Sequence, residues 1–274
     1  MRIAFLLEYQ GKNFCGSQAQ KDLRTVQSVL EEAIAVYFRQ TKNEKPLRIA
    51  LSGRTDSGVH ASGQVGHFDL PDDLKGIEPG LDLQAVSWAL NGILDSDISV
   101  RQLAIVPTDF HARFSAIERQ YVYRILNRPQ RSPILQNTHY FIRSSLDLAG
   151  MMEAIHCLVG RHDFAAFKSS NGDETSTICD VNYAKLLNLG EGELEFSIAA
   201  NHFVYNMIRI IVGTLVDIGL KKRLPESLKL ALISGKRDLA GPTAPASGLC
   251  LTSVKYPQQY ANIFNFAKDS KTEK

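Results

Sequence analysis

The chain has 274 residues, 44% of them hydrophobic and 22% charged, with a net charge of +2. That length allows one large domain or two ordinary ones with a sizeable core, and the composition excludes a disordered or fibrous chain. A near-neutral balance neither demands nor forbids nucleic acid, because a local basic groove on a neutral body is enough to bind RNA. The four cysteines, Cys15, Cys157, Cys179 and Cys250, form no C-x-x-C pair, which excludes a disulfide framework or a thiolate zinc site and points to a reducing compartment. The first residues lack the features of a signal peptide. The longest apolar stretch, 203–220, is interrupted by Asn206, Arg209 and Asp217, as in a core helix rather than a membrane span. A cytoplasmic protein without membrane association is expected.

In chain order, residues 2–9 read as a strand, and 25–38 as a helix whose apolar face is Val26, Val29, Leu30, Ala33, Ile34 and Tyr37, with Thr25 as N-cap. Strands are expected over 47–51 and 64–70, a helix over 83–94 and a strand over 98–106. This β-α-β-β-α-β order is that of a ferredoxin-like, RRM-like domain, a pattern that often serves RNA binding. The second half repeats the theme. A strand at 120–126 precedes a helix at 146–158. A hairpin of 181–189 and 194–198 turns at Gly190-Glu191-Gly192. Helices at 203–220 and 225–234 and a strand at 249–254 close the chain. With the junction at Pro107-Thr108, the division is 1–107, carrying an Asp loop, and 108–274, completing a cleft. The expected class is thus α/β (α+β): two ferredoxin-like domains sharing an extended mixed, largely antiparallel sheet with a central cleft.

The most informative stretch is Gly53-Arg54-Thr55-Asp56-Ser57-Gly58-Val59-His60, which follows the apolar run Ile49-Ala50-Leu51. It sets one carboxylate among a guanidinium, two hydroxyls and two glycines at the end of a strand. Glycine permits backbone angles closed to other residues and so allows close substrate approach. Arg54 should hold its neighbour ionised, as nucleophilic catalysis requires. Asp56-Ser57-Gly58 also matches the D-[ST]-G loop of aspartic proteases, but the chain has no second copy, and Arg54 opposes the shared proton such a dyad needs. A non-catalytic RNA-binding module is the other alternative; it would not require Asp56.

The loop, with Gly63-Gln64-Val65 and His67-Phe68 after it, closely resembles the active-site motif of the tRNA pseudouridine synthase A family. Three further blocks follow in family order: Asp109-Phe110-His111-Ala112-Arg113-Phe114-Ser115-Ala116 with Tyr121-Val122-Tyr123, then 201–209 with Ile211-Val212-Gly213, then Thr243-Ala244-Pro245-Ala246-Ser247-Gly248-Leu249. The resemblance spans nearly the whole chain. It implies an isomerase that detaches the uracil of selected uridines in the tRNA anticodon stem-loop, around positions 38–40, and rejoins it through C5. No cofactor and no metal are implied, because the rearrangement has no redox or phosphoryl-transfer step. It also implies a homodimer with tRNA, not DNA, across both subunits.

The resemblance assigns Asp56 as nucleophile, acting at C1′, at C6 or through a glycal-like route. It assigns Arg209 as the ion-pair partner that holds Asp56, and Tyr121 as the ring that stacks on the target uracil and handles its proton. Arg54 would occupy the space left by an extruded base or grip a flanking phosphate. Arg113, with Arg119, Arg124, Arg128 and Arg131, would face RNA, as would Lys221-Lys222-Arg223. His60 is grouped with the substrate-facing residues, where loop-shaping hydrogen bonds are its expected contribution. The histidines show no metal-ligand spacing. Two positions depart from the family pattern: Ser17 stands where tryptophan is usual, and Asp95 follows Leu94 where the family prefers proline.

Overall fold

The computed structural model describes residues 1–40, 46–71, 81–170 and 176–264. Two compact units are formed. The first takes residues 1–54, 61–117 and the chain from 254 onward; the second takes 55–60 and 118–253.

The first unit contains strands β1 (Arg2–Tyr9), β2 (Ile49–Leu51), β3 (His60–Asp69) and β4 (Ile98–Val106), and helices α1 (Val26–Tyr37) and α2 (Leu83–Ile93). The strands lie in the order β4-β1-β3-β2, every pair antiparallel. This is the split βαβ arrangement of the ferredoxin-like unit, with β3 inserted between β1 and β2. Thr25 caps α1 in a reciprocal box with Ser28, so the N-terminus expected from the sequence is the one formed. The helix buries Val26, Leu30, Ala33 and Ile34, the stripe its periodicity marks. β1 is buried on both faces, which explains its unbroken apolar run. Ala4 and Leu6 pack with Val65, Val106, Phe110, Tyr260 and Phe264, so the 107–117 segment and the chain's last described residues cover that side.

β3 begins four residues before the expected strand. The polar run His60-Ala61-Ser62-Gly63 has no apolar alternation, yet its backbone pairs with β1 as far as Tyr9↔Ala61. Asn91 joins α2 to β4 by exchanging two hydrogen bonds with the Val100 backbone, each 2.8 Å. Ser17, which replaces the usual aromatic, is buried, and its carbonyl accepts from the Gln27 amide at 3.0 Å.

The second unit contains β5 (Glu118–Asn127), β6 (Tyr140–Ile142), β7 (Gly160–Asp163), β8 (Ile178–Gly190), β9 (Glu193–Ala200) and β10 (Leu249–Lys255), with helices α3 (Leu148–Ile155), α4 (Met207–Gly219) and α5 (Glu226–Ser234). Its strand order, β10-β5-β9-β8, repeats the order of the first unit. β7 extends the edge beyond β8, and β6 pairs in parallel with the end of β5. Neither short strand was legible in the sequence, since three or four residues at a sheet edge carry no measurable alternation. α3 starts at Leu148 because Asp147 caps it, accepting from the Gly150 amide at 3.2 Å.

α4 is shorter than the expected 203–220 helix. Asn206 is left-handed (φ 63°), so the chain cannot run helically through it, and residues 201–206 form a turn. From Met207 on, α4 is buried nearly all round, with Ile210, Ile211, Val212 and Leu215 fully inside. The mixed α/β class expected from the sequence is the one the chain adopts.

His67 sits buried on β3, where its Nδ1 accepts from the Ala112 amide at 3.2 Å. Burial, with a further contribution from the Arg2 charge, lowers its pKa from 6.5 to about 4. Between those values the unfolded chain takes up a proton that the folded chain excludes. Stability should therefore be full above pH 6.5 and fall as pH drops toward 4, by up to about 1.4 kcal/mol per pH unit from this group. Denaturant titrations across this window should show a shallower pH slope for His67→Gln than for the parent. Equal slopes would remove His67 as the cause.

Candidate active site

The loop that carries Asp56 is anchored at its root by Gln64, a fully buried side chain that accepts from the Ser52 hydroxyl at 2.5 Å and donates to the Gly53 carbonyl at 3.0 Å. From Thr55 to His60 the loop belongs to the second unit. A turn closes from the Val59 amide to the Asp56 carbonyl (3.1 Å) through Gly58, whose φ of +82° favours glycine. A Cβ there would lie 3.2 Å from that of Ala246, so the glycine also lets the loop rest on the 243–248 segment. His60 Nε2 donates to the Ser247 carbonyl at 3.1 Å, a second tie between the same two segments. His60 is buried, and burial holds its pKa below the usual histidine value. Its observed contacts are thus with loop backbone.

Asp56 meets Arg209 in an ion pair, Nη1 to Oδ2 at 3.2 Å, with both side chains about four-fifths covered. The guanidinium is held from two other directions. Nη1 also donates to Asn206 Oδ1 at 2.7 Å, and Nε donates to the Ala244 carbonyl at 2.8 Å, while the Ala244 amide donates back to the Arg209 carbonyl at 3.0 Å. Asn206 is in turn fixed by its amide nitrogen donating to Ser169 Oγ at 3.0 Å. The left-handed turn at Asn206 lets this residue, three positions before Arg209, reach back onto the guanidinium. Arg209 lies in the first turn of α4, whose N-terminal dipole adds to the attraction for a carboxylate. An exposed ion pair is worth little, but a pair whose cation is held by two other hydrogen bonds keeps its carboxylate in one place.

The 241–244 segment can reach Arg209 only because α4 offers a bare backbone there. A Cβ on Gly213 would collide with the Pro242 carbonyl. Next to it, Thr214 Oγ1 donates to Ile210 and accepts from the Gly241 amide, each at 2.8 Å.

Tyr121 lies on β5 opposite Ile198 of β9 and is buried, its ring edge-to-face with Phe203 at 5.2 Å between centroids. The turn 201–206 therefore carries both Phe203, against Tyr121, and Asn206, against Arg209. Tyr123 has the same parity but another use: it is fully buried and its hydroxyl donates to the Pro245 carbonyl at 2.7 Å. Burial raises its pKa far above the usual tyrosine value, so it remains a neutral donor.

The arginines read as a basic surface separate on inspection. Arg54 and Arg113 are exposed, Arg113 lying over the Phe114 ring at 5.8 Å. Arg119 donates to the Asn201 carbonyl at 2.8 Å, and Arg124 pairs with Glu195 at 3.4 Å. These two are an odd number of positions apart on one strand and so face opposite sides of the sheet. Arg223 braces the Leu239 and Ala240 carbonyls and pairs with Asp217. Sequence reasoning missed Asn206, Phe203 and the Ala244 carbonyl. A left-handed asparagine and a backbone carbonyl leave no side-chain pattern in the sequence. Among the described residues, no group of three or more His, Cys, Asp or Glu could hold a metal ion, and no helix is long and apolar enough to cross a membrane.

The site thus sets a carboxylate on a glycine-bearing loop against a half-buried arginine. A family model described as tRNA pseudouridine synthase matches residues 6–115 and 154–257, and the chain belongs to that family. It is accordingly an isomerase of the kind that converts uridine to pseudouridine. A protein from Syntrophotalea carbinolica named tRNA pseudouridine synthase A is 39% identical, over 94% of this chain and 97% of its own length. One from Clostridium tetani, named tRNA pseudouridine synthase A 2, is 39% identical over 93% of this chain and 98% of its own, and the Bacillus subtilis tRNA pseudouridine synthase A is 38% identical over 93% and 99%.

Two substitutions separate backbone strain from hydrogen bonding at Asn206. Both Asn206→Gly and Asn206→Ala lose the side-chain contacts, but glycine relieves the left-handed backbone whereas alanine is strained there. The alanine variant should be less stable than the glycine variant by about 1–2 kcal/mol, while both show reduced turnover because Arg209 is released. Equal stabilities in thermal or chemical unfolding would show that the turn has relaxed.

Proposed function

We propose that this enzyme isomerises uridines in the anticodon stem-loop of tRNA, around positions 38–40, with Asp56 as nucleophile and without a cofactor. The observation that carries the proposal is the Asp56–Arg209 pair, a carboxylate fixed at one point by a guanidinium that is itself immobile. In the reaction the N1–C1′ bond breaks, the detached uracil turns, and a C5–C1′ bond forms. The hydrogen at C5 leaves as a proton and N1 ends protonated, so atoms balance without a co-reactant. Asp56 acts at C1′ or C6 of the bound uridine, and Arg209 keeps it oriented through both bond changes. Tyr121 stacks on the uracil, and its hydroxyl takes part in moving the C5 proton.

Holding the detached base beside the sugar is the main service of such a site, since a positioned intramolecular partner replaces a bimolecular encounter. Arg54 takes the space vacated by the extruded nucleotide or grips its flanking phosphate, and Arg113 adds a phosphate contact. His60 serves by shaping the loop. The enzyme works as a homodimer in the cytoplasm, with tRNA lying across both subunits.

Release of tritium from tRNA labelled at uracil C5 tests the catalytic core of this reading. The parent should release label and Asp56→Asn should not, although it folds. Arg209→Lys should be slowed roughly a hundredfold, because lysine keeps the charge but cannot donate at Nε and Nη1 together. Turnover by Asp56→Asn would overturn the nucleophile. Sequencing the product for pseudouridine locates the target, and pseudouridine only outside the anticodon stem-loop would refute that assignment. A verified monomer with full turnover would refute the dimer.

A further inference from the structure

The segment joining β5 to β6 and the 243–248 loop together line a cavity of about 420 Å³ in the second unit. None of Asp56, Tyr121 or Arg209 lines it. Among apolar residues, its lining includes the aromatic residues Tyr140 and Phe141, the polar residues Gln136, His139 and Ser247, and the cationic Arg131. Flat aromatic surface, amide, imidazole and hydroxyl groups and one cation are the set that recognises an unstacked nucleotide: ring for base, polar edge for base edge, guanidinium for phosphate. The volume is near the lower end for ligand pockets, about 300–1,000 Å³, which suits one nucleoside rather than a helix or a peptide.

The wall is fixed in part. His139 is buried, hydrogen-bonded through Nδ1 to Thr138 Oγ1 at 2.9 Å, and its Nε2 is 3.6 Å from Glu193. Tyr140 is held in the β5–β6 pairing opposite Ile125. Arg131 and Gln136, by contrast, are exposed.

The cavity also shares its supports with the catalytic loop. The Ser247 carbonyl, in the cavity lining, accepts from His60, which ends the Asp56 loop. The Pro245 carbonyl accepts from Tyr123 and the Ala244 carbonyl from Arg209. A base seated here would stand at a fixed distance from Asp56.

We propose that this cavity is a second nucleotide subsite, which takes one unpaired nucleotide of the RNA substrate other than the uridine that reacts. It rests on the RNA-modifying function proposed above. The occupant anchors the RNA beside the catalytic loop, so the subsite acts on substrate capture rather than on bond making.

Two variants of the full-length protein test it. Gln136→Trp fills the cavity from its exposed rim, and Arg131→Gln removes the cation without adding bulk. Both should keep the parent's melting temperature and lose roughly tenfold to a hundredfold in kcat/KM for tRNA, the scale of one stacked base. Photo-crosslinking of the parent to tRNA carrying 4-thiouridine should map to the peptide containing Tyr140 and Phe141, and Gln136→Trp should abolish that crosslink. Parent-like kcat/KM in both variants, or a crosslink that never maps to this peptide, overturns the subsite. If Gln136→Trp does not fold, Arg131→Gln and the parent crosslink decide. A parent that releases no tritium defeats the proposed function instead, and its crosslink map still decides whether RNA enters the cavity.

Discussion

The structure around the site depends on the immobility of one guanidinium. Arg209 is caught between the Ala244 carbonyl, the Asn206 side chain and Asp56, and each partner comes from a different segment of chain. A carboxylate facing a mobile arginine would share its position with solvent. A carboxylate facing this one has a single favourable geometry. The surrounding features serve that end: α4 is buried on nearly every side, so its first turn cannot shift without disturbing the core. The position of the loop carboxylate is therefore inherited from packing.

The 243–248 segment has no regular structure apart from a short 3-10 turn, yet it meets Arg209, Tyr123 and the Asp56 loop. Its carbonyls accept in turn from Arg209, Tyr123 and His60, and Ala246 supports Gly58. Backbone carbonyls are well suited to this work because they are held by neighbouring peptide planes and lose no rotamer freedom when they accept. Glycines make the arrangement possible from both sides: Gly213 removes the side chain that would hold the segment off α4, and Gly58 lets the Asp56 loop turn against it. The functional geometry is thus set by close backbone approaches, where one added methyl group is enough to separate the parts.

Much of the architecture was legible from pattern. β1 and β4 lie where the apolar runs predicted them, α1 matches its periodicity and cap, and α2 matches its expected range to within a residue or two. The repeated β-α-β-β-α-β order reappears as the same strand order in both units. The misreadings share a cause. The expected 203–220 helix lost its first turn to a left-handed asparagine, and β6 and β7 are edge pieces too short to alternate. The start of β3 is polar and is held by backbone pairing. In each case a non-local partner or a backbone angle outweighed local composition.

By itself the sequence determined the mixed α/β class, most of the longer elements and the family, because periodicity, capping and motif spacing are written in side chains. The tertiary structure alone decided that Asp56 and Arg209, 153 positions apart, meet at 3.2 Å. It also decided that the guanidinium is locked by a carbonyl and a left-handed asparagine, that Tyr123 supports a loop while Tyr121 stands against Phe203, and that Arg119 and Arg124 face opposite ways. The physical reason is the same throughout. These relations run through backbone atoms, dihedral angles and long-range contacts, and such features are identical or silent in the one-dimensional string until the chain has folded.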